Sequence, residues 1–185
     1  MRRNLWWAVV VVAAALIQTT WLDAIRLQGV LPDLTLLLVV YFAVAEGEER
    51  AMFTGALGGI YQDVAGDMVL GHHVLCNVVV GYVVGRVARR LILEHPVVKV
   101  GLVMCASLMH GVLYTSIQYV QTPGMSALHR LAATVVPEAF YTALVTPLVF
   151  VALARMFPKP GEGSHGAPRG PAQRPVPEPD QKGAV

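Results

Sequence analysis

Two aspartates and two histidines lie close together in an otherwise apolar stretch, FTGALGGIYQDVAGDMVLGHHVL (Phe53 to Leu75). Asp63, Asp67, His72 and His73 could hold a metal, share a proton as an acid/base pair, or cap a helix. A charged side chain at the centre of a membrane-spanning helix costs about 2.5–3.5 kcal/mol on insertion scales. Ionisable groups in such a setting therefore need a reason to be there. Proton-sharing chemistry requires two carboxylates at ~3 Å, whereas Asp63 and Asp67 stand one helical turn apart on a single segment. The metal reading has suitable ligand types but no recognised ligand spacing. The cap reading puts Asp63 near the end of one helix, where it accepts hydrogen bonds from backbone amides that open the next. Gly66 and Gly71 then supply the turn. The cap reading is favoured. A small-molecule pocket built by Asp63, Asp67, His72, His73 and Glu138 is the alternative.

Elsewhere the residues argue against catalysis. No Ser/His/Asp or Cys/His set has a supporting motif, and no phosphate-binding loop is present. Nothing points to a metal, a cofactor or a nucleic acid. Cys76 and Cys105 sit singly in apolar segments and read as small core residues. The chain reads as a non-enzyme.

The elements that must position these residues follow from composition. Hydrophobic residues make up 55% of the chain and charged residues 14%, and several apolar runs reach the ~20 residues that cross a bilayer core. Six spans are expected, at 5–22, 29–46, 51–67, 71–89, 97–120 and 131–156. With the N-terminus inside, the cytoplasmic flanks hold Arg2, Arg3, Arg50, Arg86, Arg89, Arg90, Lys99, Arg155 and Lys159, and the outer flanks only Arg26 and Arg130. This is a positive-inside pattern with both termini in the cytoplasm. The first span reads as an uncleaved helix rather than a signal peptide, with Trp6, Trp7 and Trp21 marking its two interfaces. Residues 1–157 form the expected all-α bundle. Residues 158–185 are rich in Pro and Gly and are expected to be a disordered cytoplasmic tail.

Within the bundle, Gly55 and Gly59, with Gly58 alongside, and then Gly81 and Gly85 are placed for close helix packing, against each other or against a partner. Pro32 and Asp33 read as a helix start at the outer interface, with Pro32 in the first turn and Asp33 at the positive end of the dipole. Pro137 and Pro147 should kink or loosen the last helix. His110 reads as an interhelical hydrogen-bonding residue.

Taken in order, these features resemble the bacterial rod shape-determining MreD family. The resemblance rests on Pro32-Asp33, on GALGGIYQD with Asp63, on Gly71 and Leu75, on Gly81-Tyr82 and on Pro147, and it runs from about Leu27 to Phe157. The Tyr61-Gln62 pair departs from the family pattern, where apolar residues precede the aspartate. The resemblance implies a multi-pass inner-membrane protein that works as a non-catalytic scaffold of cell elongation. Its implied partners are MreC, the MreB filament system, and the glycosyltransferase and transpeptidase that extend peptidoglycan. It also implies a fold similar to the six-helix substrate-binding subunits of energy-coupling-factor transporters. On that likeness, a small-molecule-binding membrane subunit is the alternative function.

Overall fold

A computed structural model describes residues 2–20, 31–66, 71–91, 95–122 and 126–157. Asp67, Trp21, Arg26 and the segment 158–185 lie outside the described residues. Among the described residues there are helices and no strand. The helices are α1 (Arg2–Thr20), α2 (Leu34–Ala45), α3 (Glu48–Ala65), α4 (His72–Ala88), α5 (Pro96–Gln121) and α6 (Ala127–Met156). Each overlaps one of the six apolar segments. Two of them, α5 and α6, are long and apolar enough to cross a membrane by length and composition. At 1.5 Å per residue their 26 and 30 residues extend about 39 and 45 Å, against a hydrocarbon core of about 30 Å.

The shortest helix occupies the middle. α2 reads LTLLLVVYFAVA, apolar on every side, and Thr35 through Ala43 are all buried. A helix that is apolar all round has no face to give to a polar solvent and is covered by its neighbours. α2 accordingly touches every other helix. Its 12 residues span only about 18 Å. The sequence suggested a longer element with Pro32 in its first turn, but the helix starts at Leu34. Asp33 holds the extended conformation of an N-cap (φ −82°, ψ 94°), and its side chain accepts the amide of Leu36. Had the helix begun at Pro32, Asp33 would lie inside the first turn, where its side chain could not accept that amide, so the cap fixes the boundary.

The tightest packing is between α3 and α4. A methyl group built on Gly55 would lie 2.7 Å from the Asn77 carbonyl oxygen, and one on Gly59 would lie 2.7 Å from the Val74 backbone. From the other side, a methyl on Gly81 would meet the Ala51 backbone at 3.0 Å, and one on Gly85 would overlap the Glu48 backbone. The pairs 55 with 77, 59 with 74, 51 with 81 and 48 with 85 run in opposite directions. The two helices are therefore antiparallel and in backbone contact along most of their length. Gly58 turns instead to α2, where a side chain would overlap the Thr35 methyl.

At the end of the bundle where α1 and α3 start, side chains tie the helices together. Trp7 donates its indole N–H to Thr54 Oγ1 at 3.0 Å, and the Arg50 guanidinium lies 4.5 Å over the Trp7 ring. Arg50 also pairs with Glu46 at 3.1 Å and donates to Asn4 at 2.8 Å. Arg89 at the end of α4 pairs with Glu48 at 2.8 Å. Trp7, expected at an interface, is thus half-buried against Thr54 and Phe42.

α5 and α6 form a second antiparallel pair. Val135 fills the notch at Gly111, where a side chain would overlap it, and Arg130 donates to Gln118. The stretch Leu131–Val135 is wound as a π-helix just before Pro137. Proline has no N–H and crowds the carbonyl four residues earlier, and a wider turn is one way to relieve that. Pro147 lies inside the same helix. Immediately before it, Thr146 Oγ1 donates to the Thr142 carbonyl, one turn back, at 3.0 Å. The carbonyl that Pro147 leaves without an amide is that of Ala143, so this bond satisfies the Thr146 hydroxyl within the helix rather than the freed carbonyl. Cys105, read as a core residue, is instead exposed on α5, whereas Cys76 is buried. One apolar helix presents both kinds of face, and the residue type does not distinguish them.

If backbone contact sets the α3–α4 packing, Gly55→Ala and Gly59→Ala should each destabilise the protein by about 1–3 kcal/mol through overpacking. Gly101 has nothing within 4 Å of a built methyl, so Gly101→Ala should be neutral or stabilising by roughly 0.5–1 kcal/mol from helix propensity. Thermal unfolding of the three variants in one detergent measures the contrast.

Candidate functional site

The polar residues singled out in the sequence fall into two connected groups, each organised by one aspartate. The first is Asp63, in the last turn of α3. α4 opens at Gly71, which has left-handed dihedrals (φ 106°) and no side chain to cap with. Asp63 does the capping from the preceding helix. Its Oδ2 accepts the Gly71 amide at 2.8 Å and the Val74 amide at 3.4 Å, and its Oδ1 accepts the His73 amide at 3.0 Å. The His73 ring nitrogen Nδ1 adds a contact of 2.9 Å to Oδ1. Gly66, which ends α3, keeps a negative φ of −91°, so only Gly71 supplies the left-handed turn. The physical logic is that of a helix N-terminus, whose first amides lack intrahelical partners and favour a negative charge.

His73 extends this group sideways. Its ring packs 4.6 Å from that of Tyr114 on α5, centroid to centroid, and 6.1 Å from that of His110. His72 lies 2.7 Å from the Gln121 amide nitrogen. His110 differs from its expected role. It is buried, it stacks near-parallel to Tyr114, and its Nε2 makes no hydrogen bond among the described residues. Its place depends on ring packing rather than on an interhelical bond.

The second group is centred on Asp33. The sequence makes this residue a helix start at the outer interface; it does start α2, and it is only 4% exposed. Its Oδ1 accepts Gln18 from α1 at 3.2 Å, Gln62 from α3 at 3.3 Å and the Leu36 amide at 3.0 Å. Its own amide donates to Thr142 of α6 at 3.1 Å. Gln18 Oε1 in turn accepts from both the amide and the hydroxyl of Thr35, and Gln62 Oε1 accepts from Asn77 of α4 at 2.9 Å. A buried carboxylate is tolerable when such bonds replace its water. One hydrogen-bonded set thereby joins α1, α2, α3, α4 and α6. Asn77, Gln18 and Thr142 carry no local motif and are not singled out by the sequence, and Gln62 stands out there only as a polar departure from the family pattern. An uncharged amide or hydroxyl in an apolar run is the only signal they offer.

The remaining candidates are placed as follows. Gly55, Gly59, Gly81 and Gly85 lie in the α3–α4 contact. Pro32 is buried, Tyr82 and Pro147 are exposed, and Glu138 is half-buried in the turn of α6 that follows the π-helical stretch. Among the described residues no three His, Cys, Asp or Glu side chains converge to hold a metal. The carboxylates are engaged by amides of neighbouring helices, so what the arrangement does is fix one helix to the next.

The described residues are helical, expose many large apolar side chains and join helix to helix through buried polar groups, an arrangement consistent with a membrane protein. Residues 1–157 match the family described as rod shape-determining protein MreD, and the chain belongs to that family. The family is one of membrane proteins that determine rod shape, and it is not a known enzyme family. No curated protein and no solved structure matches the chain.

Removing the acceptors at residue 63 strands several amides. Asp63→Leu should therefore lower folded yield and cost about 1–3 kcal/mol in thermal unfolding, whereas Asp63→Asn keeps one acceptor oxygen and should be milder. Equal folding of both variants would contradict the capping role. In the second group, a double-mutant cycle on Gln62→Ala and Asn77→Ala should give a coupling of about 0.6–1.7 kcal/mol.

Proposed function

We propose that this protein is a non-catalytic scaffold of the cell-elongation machinery in the bacterial inner membrane, with MreC as its direct partner. Through MreC it is linked to the MreB filament system and to the glycosyltransferase and transpeptidase that extend peptidoglycan. In this reading all six helices cross the bilayer. The start of α1 and the end of α6 face the cytoplasm, and Asp33 and Asp63 lie toward the outer half.

The observation that carries the reading is the extent of the family match, residues 1–157, which takes in every described helix. The charge distribution supports the orientation. Arg50, Arg86, Arg89, Arg90, Lys99 and Arg155 gather at one end of the bundle, and Arg130 lies at the other. The packing supports a six-span arrangement despite the shortness of α2. A helix enclosed by others need not reach both interfaces itself, because irregular backbone at membrane depth is tolerated when buried in protein. Finally, the buried carboxylates are consumed in joining helices, which suits a protein that presents a fixed surface to others.

Affinity purification of the full chain from native membranes after mild solubilisation should recover MreC. Depletion in a rod-shaped host should round the cells. A partnerless chain together with normal shape on depletion would count against the scaffold reading.

A further inference from the structure

The mouth of a cleft opens between the end of α2, the start of α5 and the end of α6. Its volume is about 320 Å³, and its walls include Tyr41, Pro147, Phe150, Ala154 and Phe157. One cation stands on its lining, Lys99, in the first turns of α5. Lys99 is partly exposed, and among the described residues it pairs with no carboxylate. The cleft thus joins an apolar slot to a single positive charge at the end of the bundle where the cations gather. This is a different place from the two aspartate groups.

We infer that this cleft holds one acyl chain of an anionic glycerophospholipid, with Lys99 against its phosphate. Two observations select that occupant. The charge is complementary to an anionic headgroup and sits where an inner-leaflet headgroup would sit, a position that rests on the orientation proposed above. The chain's own segment 158–185 is rich in Pro, Gly and charge and has little to place among Tyr41, Phe150 and Phe157. Juxtamembrane cations attract anionic lipids strongly enough for one residue to be measurable.

Retention of palmitoyl-oleoyl phosphatidylglycerol against phosphatidylcholine, read by native mass spectrometry of the full chain released from mixed nanodiscs, tests this. The wild type should keep one phosphatidylglycerol. Lys99→Gln should weaken that preference about fivefold, the effect of one headgroup-facing cation. Ala154→Trp, at an exposed wall position, should abolish retention of either lipid while helicity by circular dichroism stays unchanged. If that variant misfolds, Val151→Trp, on the same wall and also exposed, serves instead. Arg90→Gln, exposed and outside the cleft, should behave as wild type. Equal loss in Arg90→Gln and Lys99→Gln would mean diffuse headgroup attraction and overturn the inference. So would lipid retention in a folded Trp variant. A photoreactive residue at position 151 in intact membranes should yield an adduct of phospholipid mass. An adduct to a second copy, to another protein or to segment 158–185 would also overturn it. Nanodiscs present both faces to lipid, so these outcomes do not depend on which face is cytoplasmic or on the scaffold reading.

Discussion

The rest of the bundle depends on the backbone contact between α3 and α4. In lipid there is no hydrophobic drive to bring one helix to another, so association relies on close packing and polar bonds. Four glycines remove the side chains that would hold α3 and α4 apart. Asp63 then closes the far end of the pair by satisfying the amides that open α4. Close approach and cap act on the same two helices, and each makes the other geometrically easier. Without the approach, Asp63 could not reach the Val74 amide. Without the cap, the start of α4 would carry unpaired donors in a setting with little water.

Asp33 plays the complementary part. It starts the central helix and gathers side chains from helices that are distant in the chain. A hydrogen-bonded set of this kind is directional, which apolar packing is not. It therefore fixes the rotation and depth of α2 among its neighbours. That is a structural use for charge in a membrane protein whose family determines shape, and it leaves the outer faces of the helices free for lipid and for other proteins.

What could be read from the chain follows from how local each cause is. Helix positions, the glycine steps and the turn at Gly71 depend on neighbours a few residues away, and short segments carry such signals. The choice between packing α3 on α4 and packing either on a partner was not readable, because spacing alone does not say what fills a groove. The burial of Asp33 among other helices was not readable either. A Pro-Asp pair before an apolar run marks a helix start, but burial was decided by Gln18, Gln62 and Thr142 arriving from other elements. The bond between Gln62 and Asn77 was not readable for the same reason, and His110 was assigned a bond where ring packing serves instead. Cys105 shows the converse limit, since an apolar helix in an apolar solvent gives no sign of which side is in.

The two antiparallel pairs differ in how firmly they are joined to the rest. α3 and α4 share backbone contact, and the Asp33 set carries the join on to α1, α2 and, through Thr142, α6, whereas α5 is held by apolar and ring packing on α2 and α4 and by the notch at Gly111. α5 thus stands outside the Asp33 set, and packing without directed bonds fixes its rotation less tightly than a satisfied polar set fixes that of its neighbours.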